Sequence, residues 1–349
     1  MAGIWESQNK VIPAAYINVV TNSPLNMMPG DRGTVVIAQE LSVGTDDEIY
    51  TITATDPGYP EKATAEDKKL ANIALQGAKT VKIYKLKKTH TDEDVTNMLA
   101  KLQTVDFDVF VYPYTGSSTG SSKAKEAIVT WIKAMQDEEG ANVTAVLANH
   151  TADTEYVINV VQGMKMADGT SFTADEVTAW VGGMTAGASI TKSNTAAKFA
   201  GAIDVVPRMK KSEMETAIKA GKFIFTVDKA QNVSVVADIN SLTTTTPEKG
   251  DDLKQNRTVR TVYGIREDIN NLWESSVKGK FNNNDEGRSL LKGILVEYFN
   301  ELQRREAIQN FDPDQLVIKA GKAINAVEIS IAVQVVGSME FAYVTVYLS

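Results

Sequence analysis

From about residue 91 to residue 241, short and almost wholly apolar runs alternate with amphipathic helical stretches, a pattern that few folds tolerate. Residues 108–112 read Asp-Val-Phe-Val-Tyr, apolar on both sides of a strand, so both faces of their sheet must be covered. The helix predicted after them carries Ala124, Ala127, Ile128, Trp131, Ile132 and Met135 on one stripe, with Gly140 beyond its end. Before them, a Thr-x-x-Asp start at Thr91 opens a helix whose apolar positions are Val95, Met98, Leu99 and Leu102. Residues 143–148 and 156–161 are two more strands. Capping boxes are predicted at 173–176 and 212–215, and a hairpin from 223–227 and 233–239. Such alternation builds an α/β layer around a largely parallel sheet.

The flanking segments differ. Residues 33–38, 49–53 and 80–86 are strand-like, with one helix over 65–76 stopped by Gly77, which predicts a small β-rich domain. The run Leu242-Thr243-Thr244-Thr245-Thr246-Pro247, with Gly250 beyond it, reads as the clearest linker in the chain. Two helices follow it. The first passes through Val262, Ile265, Ile269 and Leu272; the second runs from about Arg288 to Ile308 and buries Leu291, Ile294, Leu295, Tyr298 and Leu302. Next, Val327, Ile329, Ile331, Val333 and Val335 alternate with Glu328, Ser330, Ala332 and Gln334, the cleanest period-2 strand in the sequence.

Composition narrows the function classes. The net charge of -8 argues against nucleic acid as the main partner. There is no cysteine, which removes disulfides, thiolate metal sites and cysteine nucleophiles, and two histidines are too few for a His-rich metal site. The first residues lack the basic start and apolar run of a secretion signal, and no stretch approaches the roughly 18 apolar residues of a membrane span. The expectation is a protein made in the cytoplasm and soluble there, with no cofactor and no membrane insertion.

Residues 11–20 and 341–348 are both extended and apolar. An unpaired apolar strand is an aggregation hazard, so each must find a sheet. Pro13 cannot donate to a ladder and puts the first at a sheet edge or a strand start. Either both strands tuck into the chain's own sheets, or each adds a strand to a neighbouring copy. Giving a strand forward and taking one from behind is a heterologous contact that grows into an open helical filament.

No residue set makes a convincing catalytic site. The loop Gly116-Ser117-Ser118-Thr119-Gly120-Ser121-Ser122-Lys123 lies where phosphate loops lie, between an apolar strand and a helix. Its glycines are one residue too close and its lysine is displaced, so it reads as a solvated connector; a nucleotide- or phosphate-binding enzyme using this loop is the competing reading. Asn282-Asn283-Asn284-Asp285-Glu286 lacks the alternating acids of a calcium loop and reads as a turn before a helix. His90 and His150 read as solvated loop residues without a nucleophile partner. Trp131 and Trp180 read as core anchors.

Several stretches resemble the contractile tail sheath family, in particular the compact sheaths of Bacillus- and Clostridium-type phages and related bacteriocin particles. They are Ser7-Gln8-Asn9-Lys10-Val11-Ile12-Pro13-Ala14-Ala15-Tyr16-Ile17-Asn18-Val19 and Ala74-Leu75-Gln76-Gly77-Ala78-Lys79-Thr80-Val81, then Ala186-Gly187-Ala188 with Ser193-Asn194-Thr195. The longest match is Val236-Ala237-Asp238-Ile239-Asn240-Ser241-Leu242-Thr243, followed by Asn256-Arg257-Thr258-Val259-Arg260, Asp268-Ile269, Gly279-Lys280, residues 284–288 and Ser338-Met339-Glu340. Ala14 stands where a glycine is usual, and Phe341-Ala342 replace a more polar pair.

The resemblance implies a structural subunit of a virion or phage-tail-like particle. It implies stacked hexameric rings of itself around a tail tube protein, with baseplate and tail terminator proteins at the ends. It also implies arms that insert into neighbouring C-terminal domains. The expected donated strands carry Val11, Ile12, Tyr16, Ile17 and Val19 at one end and Phe341, Tyr343, Val344, Val346 and Leu348 at the other. Val327, Ile329, Ile331, Val333 and Val335 form the expected acceptor strand. Lys292, Glu301, Arg304 and Arg305 are the expected tube-facing charges of the second C-terminal helix.

The expected architecture is a multi-domain α+β and α/β chain. It has an arm over 1–22, a small β-rich domain over 23–90 and an α/β domain over 91–241. A C-terminal assembly domain over 242–337 pairs two helices with a sheet completed by exchanged strands, and a second arm covers 338–349.

Overall fold

In a computed structural model the structure describes residues 32–117, 123–247, 249–343 and 345. The first part runs β1 (Thr34–Glu40), β2 (Ile49–Thr53), α1 (Ala65–Ala74), β3 (Thr80–Leu86), α2 (Asp92–Leu102), β4 (Val109–Val111), α3 (Lys123–Asp137), β5 (Thr144–Ala148) and β6 (Val157–Val160). It continues with β7 (Gly163–Met166), β8 (Ser171–Phe172), α4 (Ala174–Gly187), β9 (Ala202–Val206), α5 (Lys211–Lys219), β10 (Lys222–Phe223), β11 (Phe225–Val227) and β12 (Val233–Val235). The C-terminal part has α6 (Asn256–Leu272), α7 (Asp285–Arg304), β13 (Ile308–Gln309), β14 (Val317–Ala320), β15 (Val327–Ser330) and β16 (Gln334–Val335). No helix among the described residues is long and apolar enough to cross a membrane.

A seven-stranded sheet in the order β10-β6-β5-β4-β1-β3-β2 forms the centre, parallel except for β2 at one edge. Strand period sorts its side chains. Val35, Ile37, Val81, Ile83, Val109 and Val111 face α1 and α4, while Val36, Ala38, Tyr84, Leu86, Phe110 and Tyr112 face α2 and α3. Both faces are therefore dry, as the apolar runs require.

This sheet runs across the expected boundary at residue 90. β1 pairs with β3 on one side and β4 on the other, so residues 34–86 and the α/β segment share one sheet. Thr34–Glu40 reads TVVIAQE, apolar on both faces, which marks an interior strand. Which strand lies beside it is a long-range fact that no local pattern carries.

α1 and α4 cross at backbone distance. A Cβ at Gly187 would stand 1.8 Å from the Gly77 carbonyl oxygen, and one at Gly183 would stand 2.0 Å from that of Ala74. Trp180 Nε1 donates to Gln76 Oε1 at 2.9 Å over the same crossing. The junction 74–81 is thus fixed by what α4 lays on it.

Capping follows the sequence with one exception. Thr91 and Thr173 close boxes with Asp94 and Glu176, and Thr64 closes a further one with Asp67. The box expected at 212–215 is replaced by half of one two residues earlier: Glu213 accepts from the Lys210 amide at 2.7 Å, the lysine side chain has no acceptor to return the bond, and Ser212 is already inside α5. The hairpin expected from 223 also divides. Phe223 joins the large sheet beside β6, and only Phe225–Val227 pairs with Val233–Val235.

The threonine run is held down rather than free. Asp153 Oδ1 accepts from the amide and hydroxyl of Thr243 at 2.7 and 2.8 Å and from the Thr244 amide at 2.9 Å. Hydrogen bonds from Thr244 and Thr243 hold that carboxyl well below the usual range, against the opposing pull of burial. The half-exposed Lys249 adds an ion pair to the buried Glu155 at 2.7 Å.

Candidate assembly interface

The stretches that carry the resemblance are scattered along the chain, yet several meet in one buried polar cluster. Asp238 is 0% exposed. Its carboxylate accepts from the Asn194 amide at 2.8 Å, from Arg260 NH2 at 2.8 Å and from Asn256 Nδ2 at 2.9 Å. Asn256 and Arg260 sit on the first turns of α6, so Asp238 ties the C-terminal part to the α/β part. A buried carboxylate needs several donors to remain in place, and the spacing Asn256-x-x-x-Arg260 puts two on one helix face. Burial and the adjacent Arg260 push the Arg257 guanidinium down from its usual value, with the Glu306 and Glu340 carboxylates working against that.

The cluster extends to the root of the C-terminal arm. Glu340 Oε1 accepts from Thr195 Oγ1 at 2.8 Å, from Ser193 Oγ at 3.1 Å and from Ser338 Oγ at 2.8 Å. The Thr195 hydroxyl in turn accepts from the Asp238 amide at 2.9 Å. Beyond this anchor Phe341 and Tyr343 are 82% and 95% exposed. Val344, Val346 and Leu348 lie outside the described residues, as do Val11, Ile12, Tyr16, Ile17 and Val19.

The expected acceptor strand is half of an interrupted hairpin. β15 pairs antiparallel with β14, and β16 pairs antiparallel with β13. The chain folds back at Gly321, whose amide donates to Ala326 O at 2.8 Å. A 3-10 turn at Pro313–Gln315 absorbs the extra residues of the first arm. The strand expected over 327–335 is therefore two short ladders, because the inserted turn leaves 331–333 without a partner. Ile329, Ile331 and Val333 pack on the C-terminal core with Ile318, and Val327 and Val335 are half-buried on the same side. Among the described residues, no strand pairs with the outer edge of either arm.

α7 begins earlier than expected, with Asn284 capping the Gly287 amide, and ends at Arg304, so Ile308 belongs to β13. Its buried stripe is Leu291, Ile294, Leu295, Tyr298, Phe299 and Leu302. Tyr298 also donates to the buried Asp268 at 2.6 Å. The four expected tube-facing charges do not share one face. Glu301 joins Arg304 and Arg305 in a local cluster. Lys292 is nine residues back from Glu301 and so stands about 180° around the helix, on the other flank of the stripe. The outer face carrying Glu297, Glu301 and Arg304 also shows Leu290, which the sequence reading passed over although it is 57% exposed.

The enzyme-like features resolve differently. His90 is 1% exposed, which corrects the reading of it as a solvated loop residue. Its Nδ1 lies 2.7 Å from Glu40 Oε1 and its Nε2 lies 2.7 Å from the Tyr112 hydroxyl, so it bridges β1 to the residue after β4. Burial, with the nearby Lys125 charge, pushes the half-buried His150 down from its usual value. In the loop 116–123, residues 118–122 lie outside the described residues. Lys125, just inside α3, is buried and used up on Ala148 O at 2.6 Å and Asp175 at 3.2 Å. No group of three or more metal-ligating side chains occurs among the described residues.

The family model for the phage tail sheath protein central domain matches residues 88–241, and that for the phage tail sheath C-terminal domain matches residues 248–349. An uncharacterized protein, YqbK, of Bacillus subtilis is 31% identical over 351 residues, covering 96% of this chain and 72% of its own. The tail sheath protein of Clostridium phage phiCD119 is 28% identical over 269 residues, covering 75% and 73%. The sheath tail protein from Desulfitobacterium hafniense superposes with a TM-score of 0.82 at 26% identity, over 93% of this chain and 97% of that one. The helical sheath of the anti-feeding prophage in its contracted state has the same fold, with a TM-score of 0.68 at 13% identity over 97% and 99%.

Proposed function

The chain belongs to the phage tail sheath family and is a structural sheath subunit, and from that premise we propose that its copies are linked by exchanged strands into a contractile sheath around an inner tube. The observation that carries this reading is the interrupted hairpin of β13–β16, whose outer edges pair with no strand among the described residues, beside an exposed apolar arm root. A two-stranded ribbon is marginal alone and gains from added strands. Two open edges accept two strands, and the chain has two apolar segments to give. The N-terminal segment with Val11, Ile12, Tyr16, Ile17 and Val19 adds to one edge in a neighbouring copy. The C-terminal segment with Phe341, Tyr343, Val344, Val346 and Leu348 adds to the other. Val327, Ile329, Ile331, Val333 and Val335 belong to the accepting hairpin.

The outer face of α7, with Glu301, Arg304 and Arg305, turns toward the inner tube, and Lys292 flanks it. Baseplate and terminator proteins close the two ends of a stack of rings. Contraction repacks the contacts between copies while the strand links hold, and a kinetic barrier keeps the extended form in place. The chain has no catalytic task in this reading: its converging polar groups are spent on holding its own parts together.

Negative-stain electron microscopy of purified, tag-free protein tests the proposal. Hollow striated tubes are expected from the full chain. Removal of the first 20 residues is expected to leave a folded monomer, judged by circular dichroism and melting, that forms no tubes. Normal tubes from that truncation would sink the strand-exchange reading.

A further inference from the structure

The arm root poses a problem of direction. Met339, Phe341 and Tyr343 occupy alternate positions leading into the segment that the sequence reads as extended, and each is 82% exposed or more. Glu340 between them points the other way, into the hydroxyls of Ser193 and Thr195. In an extended chain side chains point alternately to opposite faces, so fixing one residue fixes the facing of its neighbours on both sides. With residue 340 held on the subunit, residues 339, 341 and 343 must present their apolar side chains outward, where a second copy can cover them. A slip of one residue would instead turn them inward and send polar groups to the partner.

We propose that Glu340 is a positioning residue that selects which face of the C-terminal arm is offered to a neighbouring copy, a role that rests on the strand-exchange reading above. Three features make it suited to that task. Its carboxylate oxygen takes three hydroxyl donors at 3.1 Å or less, a number that a flexible surface glutamate does not gather. Two of the donors lie on the 193–195 loop, whose Asn194 amide is fixed by the fully buried Asp238. The anchor is therefore built on the rigid junction and not on the arm itself. The Glu340 carboxylate also supports the buried Arg257 charge, so the arm root and the first turn of α6 are joined electrostatically.

Glu340→Ala in the full chain tests the role, with Ser193→Ala approaching the same contact from the other side. Ser193 is chosen because the Thr195 hydroxyl accepts from the Asp238 amide at the junction, whereas the other bonds of the Ser193 hydroxyl, to Thr195, stay within its own loop. The isolated Glu340→Ala subunit is expected to melt within about 2 °C of the parent, as surface changes do, while pelletable tube falls at least about tenfold. Glu340→Gln, which keeps an acceptor at the same reach, is expected to recover tube yield to within about threefold of the parent. A Glu340→Ala yield within about twofold of the parent, or a loss of yield that tracks a fall in melting temperature, overturns the proposal. Absence of tubes from the parent chain would instead overturn the strand-exchange reading, so the two failures are distinct.

Discussion

At the scale of single residues, close approach and buried carboxylates carry the strongest consequences. Gly187 lies so near the Gly77 carbonyl that any side chain forces α1 and α4 apart. Gly187→Ala is expected to destabilise by roughly 3 kcal/mol, as overpacking does. For a chain of this size that is a fall of about 4 °C in a thermal melt. Asp67 and Asp94 are a second case. Burial works to raise Asp67, but hydrogen bonds from Ser42 and Thr64 outweigh it and hold the carboxyl at about 2. Lys87 and the Thr91 amide hold Asp94 at about 2 as well. Folding depresses both, so their stabilisation is complete above about pH 4 and is lost as pH falls from there toward 2. Asn at both positions is expected to flatten that acid limb in urea melts at pH 5, 4 and 3, with about 1–2 kcal/mol lost per site at pH 5. The box at Thr91 was legible from its Thr-x-x-Asp spacing, and the same spacing at Thr64 was passed over. The burial of His90 was not, since its partners Glu40 and Tyr112 are 50 and 22 residues away in sequence.

At the scale of elements, one buried carboxylate gathers donors from both sides of the junction between the α/β part and α6. Asp238→Ala would leave the buried Arg260 without its acid, a change that costs about 3–5 kcal/mol. The expected signature is early proteolytic nicking within residues 242–250 under conditions where the parent is resistant, together with a lower melting temperature. The residues of this cluster were visible in the sequence as separate stretches of resemblance. Their meeting was not, because it depends on how the 193–195 loop, residue 238 and α6 are brought together in space. The period-2 run at 327–335 was also plain, yet its break was not. The cause of the break is Pro313–Gln315 on the opposite arm, and a strand's own pattern does not record an insertion in its partner.

At the scale of the whole molecule, the architecture was legible where both faces of an element are buried and less so where long-range pairing decides. The α/β layer and the helical pair after residue 250 follow from patterning alone. The union of residues 34–86 with that layer does not, since a strand between two parallel neighbours reads the same whichever neighbours they are. The helix face proposed for the tube was seen only in part: charges were found by type, but their angular positions on α7 divide Lys292 from the rest. Reversal of Arg304 and Arg305 to Glu is expected to leave self-assembled tubes intact and to reduce co-assembly with the inner tube protein at least about tenfold, because rim charges guide partner choice more than folding. Mixed-tube electron microscopy with purified tube protein measures both outcomes.

The 3-10 turn between β13 and β14 gives the hairpin one more property. A strand laid along that edge meets two short ladders set out of phase by the inserted residues. Sliding it by two residues would keep its apolar face inward and satisfy one ladder, but it would starve the other. On the strand-exchange reading proposed above, the edge would work as a vernier, with one offset lining up both scales. Each added strand would then be gauged for length as well as for facing, and the spacing of the lattice would come from a ruler inside every copy.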